Sequence, residues 1–205
     1  FKEAYGGIAK EDINQRSISN AIAAYVNSLK SFNSPFDKYV RNETKEYPEN
    51  AKRGFNLFMG KAACGSCHFA PVFNGTVPPF YLESESEVLG ITQGFDSIVP
   101  KLDTDLGRMG NGLKLDNRPF LKNSFKTVTV RNVAFTAPYM HNGLFATLDD
   151  VLAFYNLGGG AGMGLKVENQ TLPETPLNLT QQEMEDIIAF METLSDVPEY
   201  GGRGD

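Results

Sequence analysis

Cys64-Gly65-Ser66-Cys67-His68 is the stretch on which the reading of this chain turns. Two thiols three positions apart, followed at once by an imidazole, suit a thioredoxin-like redox pair, half of a zinc site, or an anchor for covalently attached haem. A thioredoxin-like pair needs a strand ahead of it, and here residues 48–61 (PENAKRGFNLFMGK) are helix-like instead. A zinc site needs a fourth ligand. The chain has no further cysteine, and its only other histidine, His141, lies far outside zinc-finger spacing. The haem reading needs nothing more. Each thiol adds across one vinyl group of the ring, a single helical turn sets the sulfurs at the separation of the vinyls, and the adjacent His gives its imidazole to the iron. Cys64, Cys67 and His68 are therefore expected to hold one haem c, with His68 as the proximal ligand.

Around the motif the chain is punctuated by helix signals. Residues 12–32 place Ile13, Ile18, Ile22, Tyr25, Val26, Leu29 and Phe32 near helical spacing, with Asp12 or Ser17 as a cap and Asn33-Ser34-Pro35 ending the pattern. A polar stretch, residues 41–50, follows, so this helix is expected to belong to something that precedes it. Residues 48–61 predict a second helix with Phe55, Leu57 and Phe58 as apolar anchors; Gly54 within it predicts close approach by another helix. Residues 69–126 are rich in Pro, Gly, Asp and Asn with little periodicity. That is long for a structureless loop, so a large buried cofactor is expected to organise it. Thr147-Leu148-Asp149-Asp150 looks like a capping box opening a helix over 148–157, closed by Gly158-Gly159-Gly160. Thr180-Gln181-Gln182-Glu183 is a full capping box opening another helix to about Leu194. The fold class is all-α with long loops, and the order of elements is that of a class I cytochrome c.

The bulk numbers narrow the classes. The 205 residues suffice for one generous domain or one domain plus an appendage. No run approaches the roughly 20 apolar residues of a membrane helix, so no membrane span is expected. A net charge of −6 argues against a nucleic-acid partner and suits a basic protein partner. The chain opens Phe-Lys-Glu-Ala, without initiator Met, charged n-region or apolar h-region, and is expected to be a fragment or mature product whose beginning is missing.

Four further blocks carry a family likeness. Arg53-Gly54-Phe55-x-Leu-Phe58, Leu102-Asp-Thr-Asp-Leu-Gly107-Arg108, Phe125-Lys126-Thr127-Val-x-Val-Arg131-Asn132-Val133 and Thr136-Ala-Pro138-Tyr-Met-His141-Asn-Gly143 together resemble the bacterial dihaem cytochrome c peroxidase family, including its MauG-like branch. Thr147-Leu148, Phe154-Tyr155-Asn156 and the final helix fit the same pattern, and the likeness runs from about Ala21 to Leu194. It implies two cytochrome domains, each with its own Cys-x-x-Cys-His. Residues 1–47 would be the closing helix of the first domain and the linker, with Asn33-Ser34-Pro35-Phe36-Asp37 as a signature; residues 48–205 would be the second, electron-transfer haem domain. The peroxidatic haem and its acidic catalytic residue would lie on the first domain, leaving this piece to relay electrons. The resemblance also implies export to the periplasm, a small cytochrome c or cupredoxin as electron donor, and room for pairing as a homodimer. A MauG-like oxidase of a protein substrate is the runner-up. A stand-alone monohaem carrier is the third reading, and the appended helix counts against it.

The distal iron ligand stays open between three residues. Class I cytochromes c use a Met in the loop before the last helix, which points to Met163, and Met140 beside His141 is a second thioether. In the family the peroxidases' Met stands fourteen positions after the signature His. Here that position is Tyr155, and the MauG-like branch has Tyr there. Tyr155 is favoured, against its being a packed core ring; a phenolate would shift the potential down. Met109, Met163, Met184 and Met191 are otherwise core or loop residues. The resemblance places Arg131 towards the haem propionates, against a surface arginine. It places His141 near the domain interface, against a satisfied structural histidine. It makes the backbone carbonyls of Thr136 and Pro138 ligands of a calcium ion between the domains. Glu83, Glu85 and Glu87 alternate in a loop and are expected to form a solvated face.

Overall fold

Local capping decides where the helices of this computed structural model begin; it describes residues 3, 6, 7, 9, 10, 13–94 and 100–196. Two units are described, residues 1–32 with 196–205, and residues 33–195. In the first, helix α1 spans Gln15–Ser28. Its cap is Asn14, whose side chain accepts from the backbone of Arg16 and Ser17 while Ser17 reciprocates. Ser17 is thus the partner of the cap, and Asp12 lies outside the described residues. The helix ends earlier than its apolar spacing predicts: the Ser28 hydroxyl donates to the Tyr25 carbonyl at 2.6 Å and Leu29 leaves helical geometry. Ile18, Ile22, Tyr25, Val26 and Leu29 are between 41% and 60% exposed, so the apolar face is real but solvent-facing.

In the second unit, helix α2 (Pro35–Val40) starts where the sequence suggested only a terminator. Ser34 caps it, Pro35 takes the first helical position where a missing N–H costs nothing, and Asp37 completes the box. Helix α3 (Glu49–Met59) and helix α6 (Gln181–Glu192) cross in close contact. Phe58, Phe73, Ile187, Phe190 and Leu194 are fully buried there, and Phe36, Phe55, Phe58 and Phe73 all meet Phe190 at ring separations of 5.2–5.6 Å. On the outer side of the crossing, Arg53 donates from Nε and Nη2 to the Asp186 carboxylate at 2.7 and 2.9 Å. Helix α4 (Leu148–Asn156) opens on the expected Thr147–Asp150 box, and α6 on the Thr180–Glu183 box. Gly158, in left-handed geometry, ends the α4 segment, and Gly159–Gly162 form one further turn, α5. Tyr139, Met140, Leu144 and Tyr155 pack around a smaller cluster of Ile91, Phe145 and Phe154.

The long irregular stretch carries its own scaffold, which a purely all-α expectation omits. Strand β1 (Ser86–Val88) pairs antiparallel with β2 (Ser124–Lys126), Glu87 opposite Phe125, and isolated bridges join Phe69 to Asn74 and Thr76 to Ser84. The regular secondary structure of the described residues is nonetheless mostly helical, and no helix among them is long and apolar enough to cross a membrane.

Gly54 shows why α3 and α6 can approach. A Cβ there would strike the Asp186 carbonyl, which is backbone and cannot swing aside, and the Cβ of Phe190. Gly54→Ala is expected to cost about 3 kcal/mol, lowering the melting temperature by roughly 10 °C, read by circular dichroism; an unchanged melt would show that the helices do not touch at this point.

Candidate haem site

At the end of α3 the chain must turn sharply, and Gly60 and Ala63 do the turning, Ala63 at a left-handed φ of 52°. Cys64–Ser66 then form a single 3-10 turn, closed by Cys67 N–H and His68 N–H donating to the Cys64 carbonyl at 3.2 and 2.9 Å. One carbonyl thus gathers both ends of the motif. The two thiols are free rather than bridged. Burial pushes the Cys64 thiol up to about 12, and burial, then the charge of Glu87, raises Cys67. Burial pulls the His68 imidazole down, against the backbone hydrogen bonds at Phe73 and Val128. His68 Nδ1 lies 3.3 Å from the Phe73 carbonyl. In the tautomer that donates from Nδ1, Nε2 is the basic nitrogen, the form in which imidazole binds a metal.

Tyr155 lies on α4. Burial raises its phenol, and smaller contributions in the same direction come from Cys64, Cys67 and Glu87. The ring meets Phe154 edge-on at 5.8 Å. Glu85 and Glu87 are here too: their carboxylates and the Cys67 sulfur lie within 4.8 Å of one another. Glu83 is exposed, as a solvated face requires, while Glu85 and Glu87 are half-buried beside Cys67. The bridge of Thr76 to Ser84 and the β1–β2 ladder turn residues 85 and 87 to one side, towards the motif.

The other candidates fall elsewhere. Met163 sits 39% exposed after α5, over a cavity of about 180 Å³ that Leu144, Phe154 and Leu157 also line. Met140 packs against the Ile91–Phe145–Phe154 cluster. His141 stacks on Phe125 at 3.6 Å with the rings 7° apart, and its Nε2 lies 3.3 Å from Asp103, which also accepts from Asn142 at 2.7 Å. So engaged, it is a satisfied structural histidine in this unit and no fourth ligand for a Cys–Cys–His zinc site. The thioredoxin reading falls as well, since α3 and not a strand precedes the motif. Arg131 is buried, which sets aside a surface arginine: its Nη1 and Nη2 donate to the Asp37 carboxylate at 2.9 and 2.8 Å, and its Nε and Nη2 to the Pro71 carbonyl at 3.0 and 2.7 Å. Asp37, ninety-four residues away, already holds a carboxylate there, leaving the fork engaged. Thr136 and Pro138 lie on an exposed turn. Two carbonyls are far short of the six to eight oxygens calcium takes.

Comparison with known proteins places the chain. Residues 1–45 match the family described as di-haem cytochrome c peroxidase. Cytochrome-c peroxidase IdrP1 of Denitromonas iodatirespirans is 36% identical over 187 residues, covering 85% of this chain and 48% of the relative. Methylamine utilization protein MauG of Methylorubrum extorquens is 30% identical over 198 residues, covering 97% of this chain and 49% of the relative. The crystal structure of a MauG-like protein associated with microbial copper homeostasis superposes with a TM-score of 0.70 at 26% identity, over 96% of this chain and 57% of that one. The chain belongs to the dihaem cytochrome c peroxidase and MauG-like family. It spans about half the length of the curated relatives it matches.

A family of this kind implies haem c, and the residues present fit it: two unbridged thiols on one turn and an imidazole whose Nδ1 faces a carbonyl. Three contributors were missed from sequence. The Phe73 carbonyl carries no side-chain signal. Glu87 was readable from the alternation of residues 83, 85 and 87, a strand period. Asp37 was readable as the third residue after a Ser34-Pro35 cap, though not as the partner of Arg131.

Asp37 makes the unit sensitive to acid. Burial alone would raise its carboxyl, but hydrogen bonds from Arg131 and Ser34 and the Arg131 charge hold it below its ordinary value of 3.8. A depressed carboxyl contributes stability that is full above the ordinary value and is lost as pH falls through the lowered one. The melting temperature is expected to be flat from about pH 7 to 5 and to fall below about pH 4. Asp37→Asn should cost about 3 kcal/mol at neutral pH and little at pH 3; an equal cost at both would show that the carboxylate charge is not what matters.

Proposed function

We propose that this chain is the electron-transfer half of a periplasmic dihaem cytochrome c peroxidase, a class I cytochrome c-like domain carrying one haem c, preceded by the closing helix of the first domain. The observation that carries it is the Cys64–His68 turn, which presents two unbridged thiols and an imidazole whose Nδ1 lies 3.3 Å from the Phe73 carbonyl. Haem supplies reversible one-electron chemistry at its iron when bound. The chain does the rest. Cys64 and Cys67 fix the ring covalently and in one orientation. His68 offers Nε2 as the proximal ligand while the Phe73 carbonyl keeps the proton on Nδ1. Tyr155 would serve as the second iron ligand, with Met140 and Met163 as the thioether alternatives. Helix α1, with its uncovered apolar side, is the piece that packs on the first domain, which also completes a calcium shell begun by Thr136 and Pro138. Electrons enter from a small cytochrome or cupredoxin and leave for the first-domain haem, where hydrogen peroxide takes two electrons and two protons to give two waters.

Tyr155 favours a second reading. A tyrosine fourteen positions after His141 matches the MauG-like branch, whose two haems share oxidising equivalents and draw electrons from a protein substrate at long range. Steady-state oxidation of a reduced small cytochrome by hydrogen peroxide, with haem-loaded full-length protein, separates the two. Rapid turnover that vanishes when the first-domain haem is removed is the peroxidase result. Negligible turnover, with a slowly decaying spectral change after peroxide that Tyr155→Met abolishes, is the oxidase result. In either case Cys64→Ala with Cys67→Ala should remove one covalent haem by pyridine haemochrome assay. Tyr155→Met should raise the potential of the haem that remains in the otherwise native protein.

A further inference from the structure

Arg131 is buried and fully engaged, yet no ligand role uses it. Its Nε and Nη2 hold the Pro71 carbonyl, and its guanidinium lies over the Phe73 ring, 5.7 Å from the centroid. Beside it the Thr129 hydroxyl donates to the Val72 carbonyl at 2.6 Å, and Val130 N–H to the Phe73 carbonyl at 3.0 Å. Residues 129–131 thus grip three successive carbonyls, and the last is the one that faces His68 Nδ1. Asp37 anchors the grip from behind, since its Oδ2 also accepts from the Ser34 N–H and hydroxyl at 3.0 and 2.7 Å. An unbroken run of contacts therefore leads from the cap of α2, through Asp37, Arg131 and the Pro71–Phe73 segment, to His68.

We propose that the Asp37–Arg131 pair is a positioning device for His68: by fixing the Pro71–Phe73 segment it sets how firmly the Phe73 carbonyl takes the Nδ1 proton. A firmer bond makes the imidazole more electron-rich, which favours ferric over ferrous iron. The pair acts through geometry and not through its field, because the two opposite charges, 2.8 Å apart, largely cancel at a distance. The proposal rests on the haem reading above and extends it from the ligands to what holds them.

The test uses haem-loaded full-length protein. Arg131→Lys keeps the buried cation but loses the fork that reaches Pro71. Arg131→Met with Asp37→Leu removes both charges together, which avoids the orphaned ion that would unfold a single mutant. Both should shift the ferric–ferrous equilibrium of this haem about tenfold towards ferrous, which is about 59 mV upward. Both should also speed solvent exchange of the His68 Nδ1 proton, seen by NMR. A folded variant with a lowered melting temperature but unchanged potential and unchanged proton exchange would overturn the proposal, leaving the pair a stabilising contact only. Wild-type protein without covalent haem at Cys64 and Cys67 would overturn the haem reading with it, and haem content tells the two failures apart.

Discussion

Helix α3 reaches the backbone of α6 because residue 54 has no side chain, and the rest of the larger unit is arranged around that contact. With the two backbones touching, Phe55 and Phe58 lie against Phe190 on one side while Arg53 closes on Asp186 on the other. The end of α6 then receives two distant segments. Phe36 N–H donates to the Thr193 carbonyl at 3.1 Å, and Asn132 N–H to the Leu194 carbonyl at 3.3 Å. These carry Asp37 and Arg131, so the buried ion pair is assembled as a consequence of the crossing. The other end of α3 delivers the Cys64–His68 turn.

That turn lies in surroundings that drive five of its ionisable groups towards their neutral forms. The two thiols, the Tyr155 phenol and the Glu85 carboxyl are raised, and the His68 imidazole is lowered. Burial comes first in each case, the mark of a low-dielectric pocket. A large flat apolar ring belongs in such a place. The same environment opposes ionisation of Tyr155, so a phenolate there needs the positive charge of a bound metal to make it, as metal ions invert the ordinary order of such shifts.

Much of this was legible in the chain itself, and the exceptions share a cause. The starts of α4 and α6 are written in Thr147–Asp150 and Thr180–Glu183, because a capping box is a local device. Gly54 signalled its crossing because a glycine in a helix weakens it without a compensating reason. Helix α2 escaped notice because six residues hold too little periodicity, and Pro35 reads equally as a stop and as a start. The β1–β2 ladder has three residues a side, thirty-eight positions apart from Ser86 to Ser124, beyond any spacing argument. Arg131 could be assigned an anionic partner from its chemistry, but which anion depended on where α2 folds. Tyr155 was reached by counting from a family signature, since a tyrosine in a helix is by itself only a ring to bury.

The depth at which Cys64 is held bears on the order of events in making this protein. Burial raises this thiol, and the thiolate is the form that attacks. Once the turn has closed, the sulfur is a weaker nucleophile than in the open chain. Haem is therefore taken on this sulfur more readily while the chain is still open. Cofactor attachment and folding are then successive steps in a race against closure, and the finished fold seals in whatever maturation has achieved.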